Sequence, residues 1–290
     1  MREQYDYTIC ELCEAFEVSK SGYYAMKSAT LSQRHQEETK LLDAIKAIHS
    51  HRHMRNYGSP RMTHELRSIG IACSENRIAR IMSQHGIAAP QKAAFRPKTT
   101  LSDPANKASP NLLRKKEEPT SPGEIFVSDI TYVATREGWL YLAVVIDLFS
   151  RSVAGWSIAE HMETSLVTTA LDRATSRIET ISNPIFHSDR GCQYTSKSFR
   201  KRLALLGFNQ SMSALGYCYD NAKSESFFAT IKRESFPDDC CFETKIDAQR
   251  AIFDYIETFY NRSRLHSSLG YNSPESHLRN YFQNQNDNLN

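Results

Sequence analysis

The sequence predicts an α/β catalytic domain, a mixed five-stranded sheet with helices flanking it, preceded by an all-α basic region. Between residues 125 and 234 the apolar runs alternate in type: strand, strand, strand, helix, strand, helix, strand, helix. Before residue 90 apolar positions recur only at helical spacing, interrupted by Ser, Pro and Gly where helices start and stop. Charge divides along the same line. Residues 46–116 hold 14 Lys and Arg against Glu65, Glu75 and Asp103, although the whole chain has a formal charge of only +3. A basic half beside a mildly acidic half points to a polyanion held by the first and chemistry done by the second.

The elements follow in order. Ile9, Leu12, Cys13 and Phe16 lie at helical spacing, Val18 and Ser19 read as a turn, and Ser19 caps a helix through Tyr23, Tyr24 and Met26. A longer helix is expected over 32–53, with His49, His51 and His53 fanned around its surface for solvent or phosphate contact. The next unit has Pro60 at a first helical position, apolar Met62, Leu66 and Ile69, a stop at Gly70, and Ser74 as cap of a second helix ending at Gly86. In a DNA-bound helix-turn-helix the early residues of the second helix reach base edges while flanking cations meet phosphates. Asn76, Arg77 and Arg80 are therefore the candidate DNA contacts in this helix. Over 88–122 periodicity stops and six prolines are scattered among basic and polar residues, as in a linker or DNA-tracking arm. Lys115 and Lys116 are its candidate phosphate contacts.

Strands are expected over 125–133, 139–146 and 152–158, a helix over 165–178, a strand over 184–187, a helix over 196–206 and a strand over 209–212. Helices over 221–234 and 246–261 complete the pattern. Three antiparallel strands extended by two parallel ones is the ribonuclease-H-like arrangement, with the first strand central. The expected division is an N-terminal helical segment (1–55), a helix-turn-helix segment (56–90), a basic linker (91–121), a catalytic core (122–282) and a disordered tail (283–290).

Asp129 lies in the first strand, Asp189 just beyond the fourth, and Glu225 in the first turns of the next helix, with 59 and then 35 residues between them. Taken singly, each has a plain structural reading as a strand-end, turn or helix-dipole carboxylate. Brought to one edge of a sheet, the three repel each other unless cations occupy the cluster, which is the footprint of a two-metal phosphoryl-transfer site. The expected cofactor is Mg²⁺, with Mn²⁺ as a substitute: two ions sharing Asp129, with Asp189 and Glu225 each completing one. Lys232, two turns beyond Glu225 on the same face, suits a DNA phosphate. Asp147, Asp220 and Glu234 are acids of other expected roles: a strand end, a helix cap, and a position on the side of the helix opposite Glu225.

Other chemistries find no support. There is no Gly-x-x-x-x-Gly-Lys loop, dinucleotide fingerprint or Gly-x-Ser-x-Gly elbow. His187, Ser188 and Asp189 are consecutive, and neighbours on a strand point to opposite faces, so they form no hydrolytic triad. Seven irregularly spaced cysteines predict reduced thiols, and Cys10 and Cys13 lack a second pair at zinc spacing. With no signal peptide and no run of about 18 apolar residues, a cytoplasmic, nucleoid-associated protein without membrane contact is expected.

Five blocks, SDITY at 128–132, GWLYLAVVIDLFSR at 138–151, HSDRGCQY at 187–194, DNAKSESFF at 220–228 and YNRSRLHSSLGY at 260–271, give the chain a family likeness. It resembles the OrfB transposases of the insertion-sequence-three family, whose catalytic domain is similar to the retroviral integrase core. Residues 57–90 also look like the helix-turn-helix segment that precedes that core. The resemblance implies Mg²⁺-dependent cutting at the ends of a mobile element and joining of the freed 3′-hydroxyls, with Asp129, Asp189 and Glu225 as the acidic triad. It implies double-stranded DNA as partner, both terminal repeats and target, and a homo-oligomer assembled on it. Phe126 stands where relatives often carry Trp, which alters packing rather than chemistry. Relatives commonly gain an upstream DNA-binding and oligomerising OrfA segment by frameshifting, so a fusion or complex with such a product is expected. A non-catalytic DNA-binding regulator, or the product of a decayed element, stays open as the alternative.

Overall fold

In the computed structural model, which describes residues 7–28, 33–90, 109–113, 117–180, 182–213 and 222–287, Thr8 opens the first helix with a reciprocal cap. Its Oγ1 accepts from the Glu11 amide while the Glu11 carboxylate accepts from the Thr8 amide at 2.8 Å, which starts α1 (Ile9–Ala15). Ser19 Oγ accepts from the Gly22 amide and starts α2 (Lys20–Ser28). The long helix α3 (Gln33–Ser50) ends short of 53, and a 3₁₀ turn (Met54–Asn56) follows. That early end turns His53 inward, against the expectation of a surface residue. Its side chain is 3% exposed, its ring stacks on Phe259 at 4.9 Å, and its Nε2 lies 3.0 Å from Asp254 Oδ2.

Helices α4 (Ser59–Ser68) and α5 (Glu75–Gln84) form the expected pair. Pro60 sits in the first turn of α4, Gly70 takes φ +84° in the connection, and Ser74 Oγ accepts from the Arg77 amide to cap α5. Met62, Leu66, Ile78 and Ile81 are fully buried with Ile45 of α3, and their cluster runs without a break into the catalytic domain. The helical region and the sheet thus share a core.

Across the sheet the strands lie in the order third, second, first, fourth, fifth of the chain. Strands β1 (Ile125–Thr135), β2 (Gly138–Asp147) and β3 (Val153–Ala159) form an antiparallel meander. Helix α6 (Thr164–Arg177) then leads to β4 (Ile185–Ser188), which pairs parallel with β1 and makes β1 central. The short α7 (Cys192–Thr195) and α8 (Lys197–Leu205) lead to β5 (Asn209–Met212), parallel to β4. Alternation along β1 and β2 assigns the two faces. Phe126, Ala143 and Val145 pack with α6 and α8, whereas Val127, Val133, Leu142 and Val144 join the cluster containing α9 (Ala222–Ser235). Gly155 is required where β3 meets α6, because a Cβ there would lie 2.1 Å from the Ala170 carbonyl oxygen.

Three features exceed the sequence pattern. A two-residue strand β6 (Cys241–Phe242) pairs parallel with the end of β1 and makes the sheet six-stranded, being too short to show a period. Helix α10 (Lys245–Phe253) continues as a π-helix (Asp254–Tyr260) where one α-helix was expected, since seven residues do not separate the two periods. After a 3₁₀ turn (Ser267–Leu269), helix α11 (Pro274–Asp287) runs into the stretch expected to be disordered from 283.

Candidate active site

Strand register builds the first part of the site. Ser128 on β1 is the parallel partner of Ser188 on β4, so the next residues, Asp129 and Asp189, stand side by side. Asp129 shares its face with Val127 and Val133, toward α9, whose first turn carries Glu225. Each aspartate is oriented locally: Asp129 Oδ1 accepts from the Ile130 amide at 2.8 Å, and Asp189 Oδ1 accepts from the Gly191 amide at 2.9 Å. Gly191 suits this turn, since a Cβ would sit 3.1 Å from Asp189 Oδ1.

The carboxylates sense one another. Burial, then the charges of Asp189 and Glu225, push the Asp129 carboxyl up to about 8, against the opposing pull of the Ile130 amide and Lys232. Beneath the aspartates lies Tyr194, with its hydroxyl 2.8 Å from Ser128 Oγ. Burial and both aspartates hold that phenol well above its ordinary range, so it stays protonated. Lys232 is half-buried, and burial lowers its ammonium while Cys240 and Asp129 oppose the shift. It therefore faces the acidic site rather than a remote flank of the helix. Glu225 itself is exposed. Among the described residues no three His, Cys, Asp or Glu side chains are grouped closely enough to hold a single ion together.

The candidate DNA contacts fare differently. Asn76 is exposed and Arg77 half-buried on the first turn of α5. Arg80, one turn on, pairs with Glu38 of α3 at 3.1 Å and donates to Gln84 Oε1 at 2.8 Å, which ties it to the bundle. Lys115 and Lys116 lie outside the described residues, as does Asp220. Asp147 has a purely structural place: fully buried, it accepts from the Gly123 amide, the Ser150 amide and the Ser150 hydroxyl, and closes the turn after β2.

Sequence reasoning passed over Glu234 and its partners. Glu234 is on the side of α9 away from Glu225, as expected, but is not a solvated charge. Its side chain is 0% exposed and receives a two-pronged ion pair from Arg264, both contacts 2.7 Å, and the Tyr255 hydroxyl at 2.7 Å. Burial opposes ionisation, yet these bonds outweigh it and keep the carboxyl below its ordinary value. Asn261 clamps the edge strand, its amide bonding both the Val153 amide and the Val153 carbonyl. The signal was present in the YNRSRLHSSLGY block, which supplies Asn261 and Arg264, but nothing in its local pattern says what it reaches.

Residues 119–218 and 206–274 match integrase core domain families, and residues 35–95 match an HTH-like domain family. The chain is 39% identical over 272 residues to the insertion element IS600 uncharacterized 31 kDa protein of Shigella sonnei, covering 94% of this chain and 99% of that protein. It is 36% identical over 287 residues to the transposase InsF for insertion sequence IS3A of Escherichia coli, covering 98% and 97%. Among solved structures, the HTLV-2 integrase catalytic core domain in complex with magnesium matches with a TM-score of 0.40 and 16% identity, over 53% of this chain and 95% of that one.

Proposed function

Because the chain belongs to the insertion-sequence-three family of DNA transposases, with an integrase core behind an HTH-like domain, we propose that Asp129, Asp189 and Glu225 are its catalytic carboxylates. They would hold divalent cations, Mg²⁺ or Mn²⁺, for cleavage and joining of DNA strands at element ends. One observation carries the assignment: the pairing of Ser128 with Ser188 sets Asp129 beside Asp189, with Glu225 in the first turn of the helix they face, and the neighbouring charges raise the Asp129 carboxyl. A cluster of like charges is costly until cations neutralise it.

The residues fit that group. All three donors are hard carboxylate oxygens, which suit Mg²⁺ and Mn²⁺. Mg²⁺ keeps several waters and takes only one or two carboxylates per ion. Asp129 paired with Asp189 for one ion, and with Glu225 for the other, needs no three-ligand cage. When bound, two such ions supply activation of the attacking water or 3′-hydroxyl and neutralisation of the departing oxygen.

The chain's own residues do the positioning. The Ile130 and Gly191 amides pre-orient the two aspartates. Tyr194, kept protonated and bonded to Ser128, supports the strand ends without adding charge. Lys232 places an ammonium beside Asp129, where it offsets negative charge before cations enter and meets a DNA phosphate afterwards. Asn76 and Arg77 read base edges from α5, and Lys115 and Lys116 track the phosphate backbone.

The test is cleavage and strand transfer on element-end DNA with Mg²⁺, comparing the wild type with Asp129→Asn, Asp189→Asn and Glu225→Gln. The reading requires a wild type that cuts and three variants that bind DNA alike but do not cut. Wild type that binds and never cuts, even with an upstream OrfA product supplied, would make this chain a regulator.

A further inference from the structure

Glu225 and Glu234 sit on one helix, nine residues apart, which is about two and a half turns and so opposite faces. The inner side of α9 is held by Phe227, Phe228 and Ile231, all buried. Apolar packing is non-directional and resists sliding and rotation weakly. A two-pronged guanidinium–carboxylate pair fixes both. Arg264 donates from Nε and Nη2 to the two carboxylate oxygens of Glu234, each at 2.7 Å, and Tyr255 adds a third bond at 2.7 Å.

The same cluster reaches the helix-turn-helix unit. Arg61 of α4 lies 4.0 Å from Glu234 Oε1 and donates from Nε to the Leu265 carbonyl at 3.0 Å. The Leu265 amide donates to the Tyr57 hydroxyl at 3.2 Å. Residues 57 and 61 therefore grip the segment between Arg264 and His266 from the DNA-binding side, while Glu234 grips it from the catalytic helix.

We propose that Glu234 is a positioning residue: clamped by Arg264 and linked through Leu265 to Arg61 and Tyr57, it sets the rotation of α9 and thereby the placement of Glu225 against Asp129. Arg61, although in the HTH-like segment, then acts on catalysis rather than on DNA affinity. This rests on the reading of Asp129, Asp189 and Glu225 as cation ligands. Side chains extend to about 5–6 Å from a helix axis, so a rotation of about 10° moves Glu225 by about 1 Å. A displacement of that size costs on the order of 10²-fold in rate. Loss of an orienting partner costs about 10–100-fold in metal affinity or activity.

The test uses the full chain and three readouts: Mn²⁺ uptake by electron paramagnetic resonance, DNA affinity by anisotropy, and single-turnover cleavage at saturating DNA. Removing one partner of a buried pair destabilises, whereas replacing both by apolar residues is often tolerated. The variants are therefore Glu234→Met with Arg264→Met together, and Arg61→Met, whose parent side chain is 24% exposed. Both are expected to bind DNA as the wild type does, to need about tenfold more Mn²⁺ for half-saturation, and to cut about 10–100-fold more slowly. Asp129→Asn is the control, expected to lose Mn²⁺ uptake. Folded variants with wild-type Mn²⁺ titration and wild-type rate overturn the positioning role while leaving the cation site intact. Equal Mn²⁺ uptake by wild type and Asp129→Asn overturns the site reading and the positioning role with it. Should the double variant not fold, Arg61→Met decides alone.

Discussion

Asp129 and Asp189 are neighbours because Ser128 and Ser188 are the last matched pair on two parallel strands. Parallel partners lie about 4.8 Å apart and run the same way. One residue beyond the matched pair, Asp129 continues along β1 and Asp189 follows the end of β4, so the two carboxylates stand at the same end of β4. Residues far apart in the chain acquire a shared electrostatic problem, and Asp129 registers it.

The proton on Asp129 makes stability depend on pH. In the folded chain its carboxyl is raised to about 8, against about 4 when unfolded. Between those values the folded state binds the extra proton, so this stabilisation is present at low pH and is lost as pH rises through 8. Asp129→Asn should melt higher than the wild type at about pH 8.5 in chelator, by on the order of 1 kcal/mol or about 2–4 °C. The difference should shrink at about pH 5. Equal melting curves at both pH values would show that Asp129 is not strained by its neighbours.

Cations should relieve the same strain. A ligand at about 100 times its Kd stabilises the folded state by about 2.7 kcal/mol. Adding Mn²⁺ or Mg²⁺ at pH 7.5 should raise the wild-type Tm by several degrees and leave Asp129→Asn unmoved. Differential scanning calorimetry with and without chelator reads this directly, and a variant that shifts as the wild type does places the cations elsewhere.

The α5 arginines should separate by role. Arg77→Ala is expected to cost about 1–3 kcal/mol on element-end DNA and little on random DNA. Arg80 is already engaged with Glu38, so Arg80→Ala should change DNA discrimination less and stability by less than about 1 kcal/mol. Anisotropy titrations on both DNAs compare them. Equal losses on the two DNAs for Arg77→Ala would remove it from base readout.

Gly155→Ala tests the packing of α6 on the sheet. The added Cβ meets backbone at 2.1 Å from the Ala170 oxygen and 2.5 Å from the Ala174 nitrogen, which no rotamer change relieves. Overpacking of this kind costs about 1–3 kcal/mol or more. Urea denaturation should show a lower midpoint, and an unchanged midpoint would mean that the helix and strand separate freely.

Much of the fold was legible because strand and helix periods differ and their order admits few topologies. Apolar runs marked four of the five main strands, Ser74 and Gly70 marked the turn between α4 and α5, and five blocks marked a family. Other features had no local signature. His53 turned inward because α3 stops at Ser50 and Phe259 offers its ring. Arg80 met Glu38, a partner 42 residues back in the chain, so its exposed-face pattern did not mark it as engaged. Glu234 read only as an acid on the far side of its helix, because its two hydrogen-bonding partners lie 21 and 30 residues ahead, on elements that only folding brings near.

By itself, then, the sequence determined the main elements and their order, and singled out three acids as candidates, since these depend on residue type and periodicity. Tertiary structure alone decided that Ser128 pairs with Ser188, that Lys232 faces Asp129, and that Glu234 of α9 is held by Arg264 on a segment that Arg61 and Tyr57 hold from the HTH-like side. Those depend on distances through space, and local periodicity carries no information about which distant residue completes a buried charge.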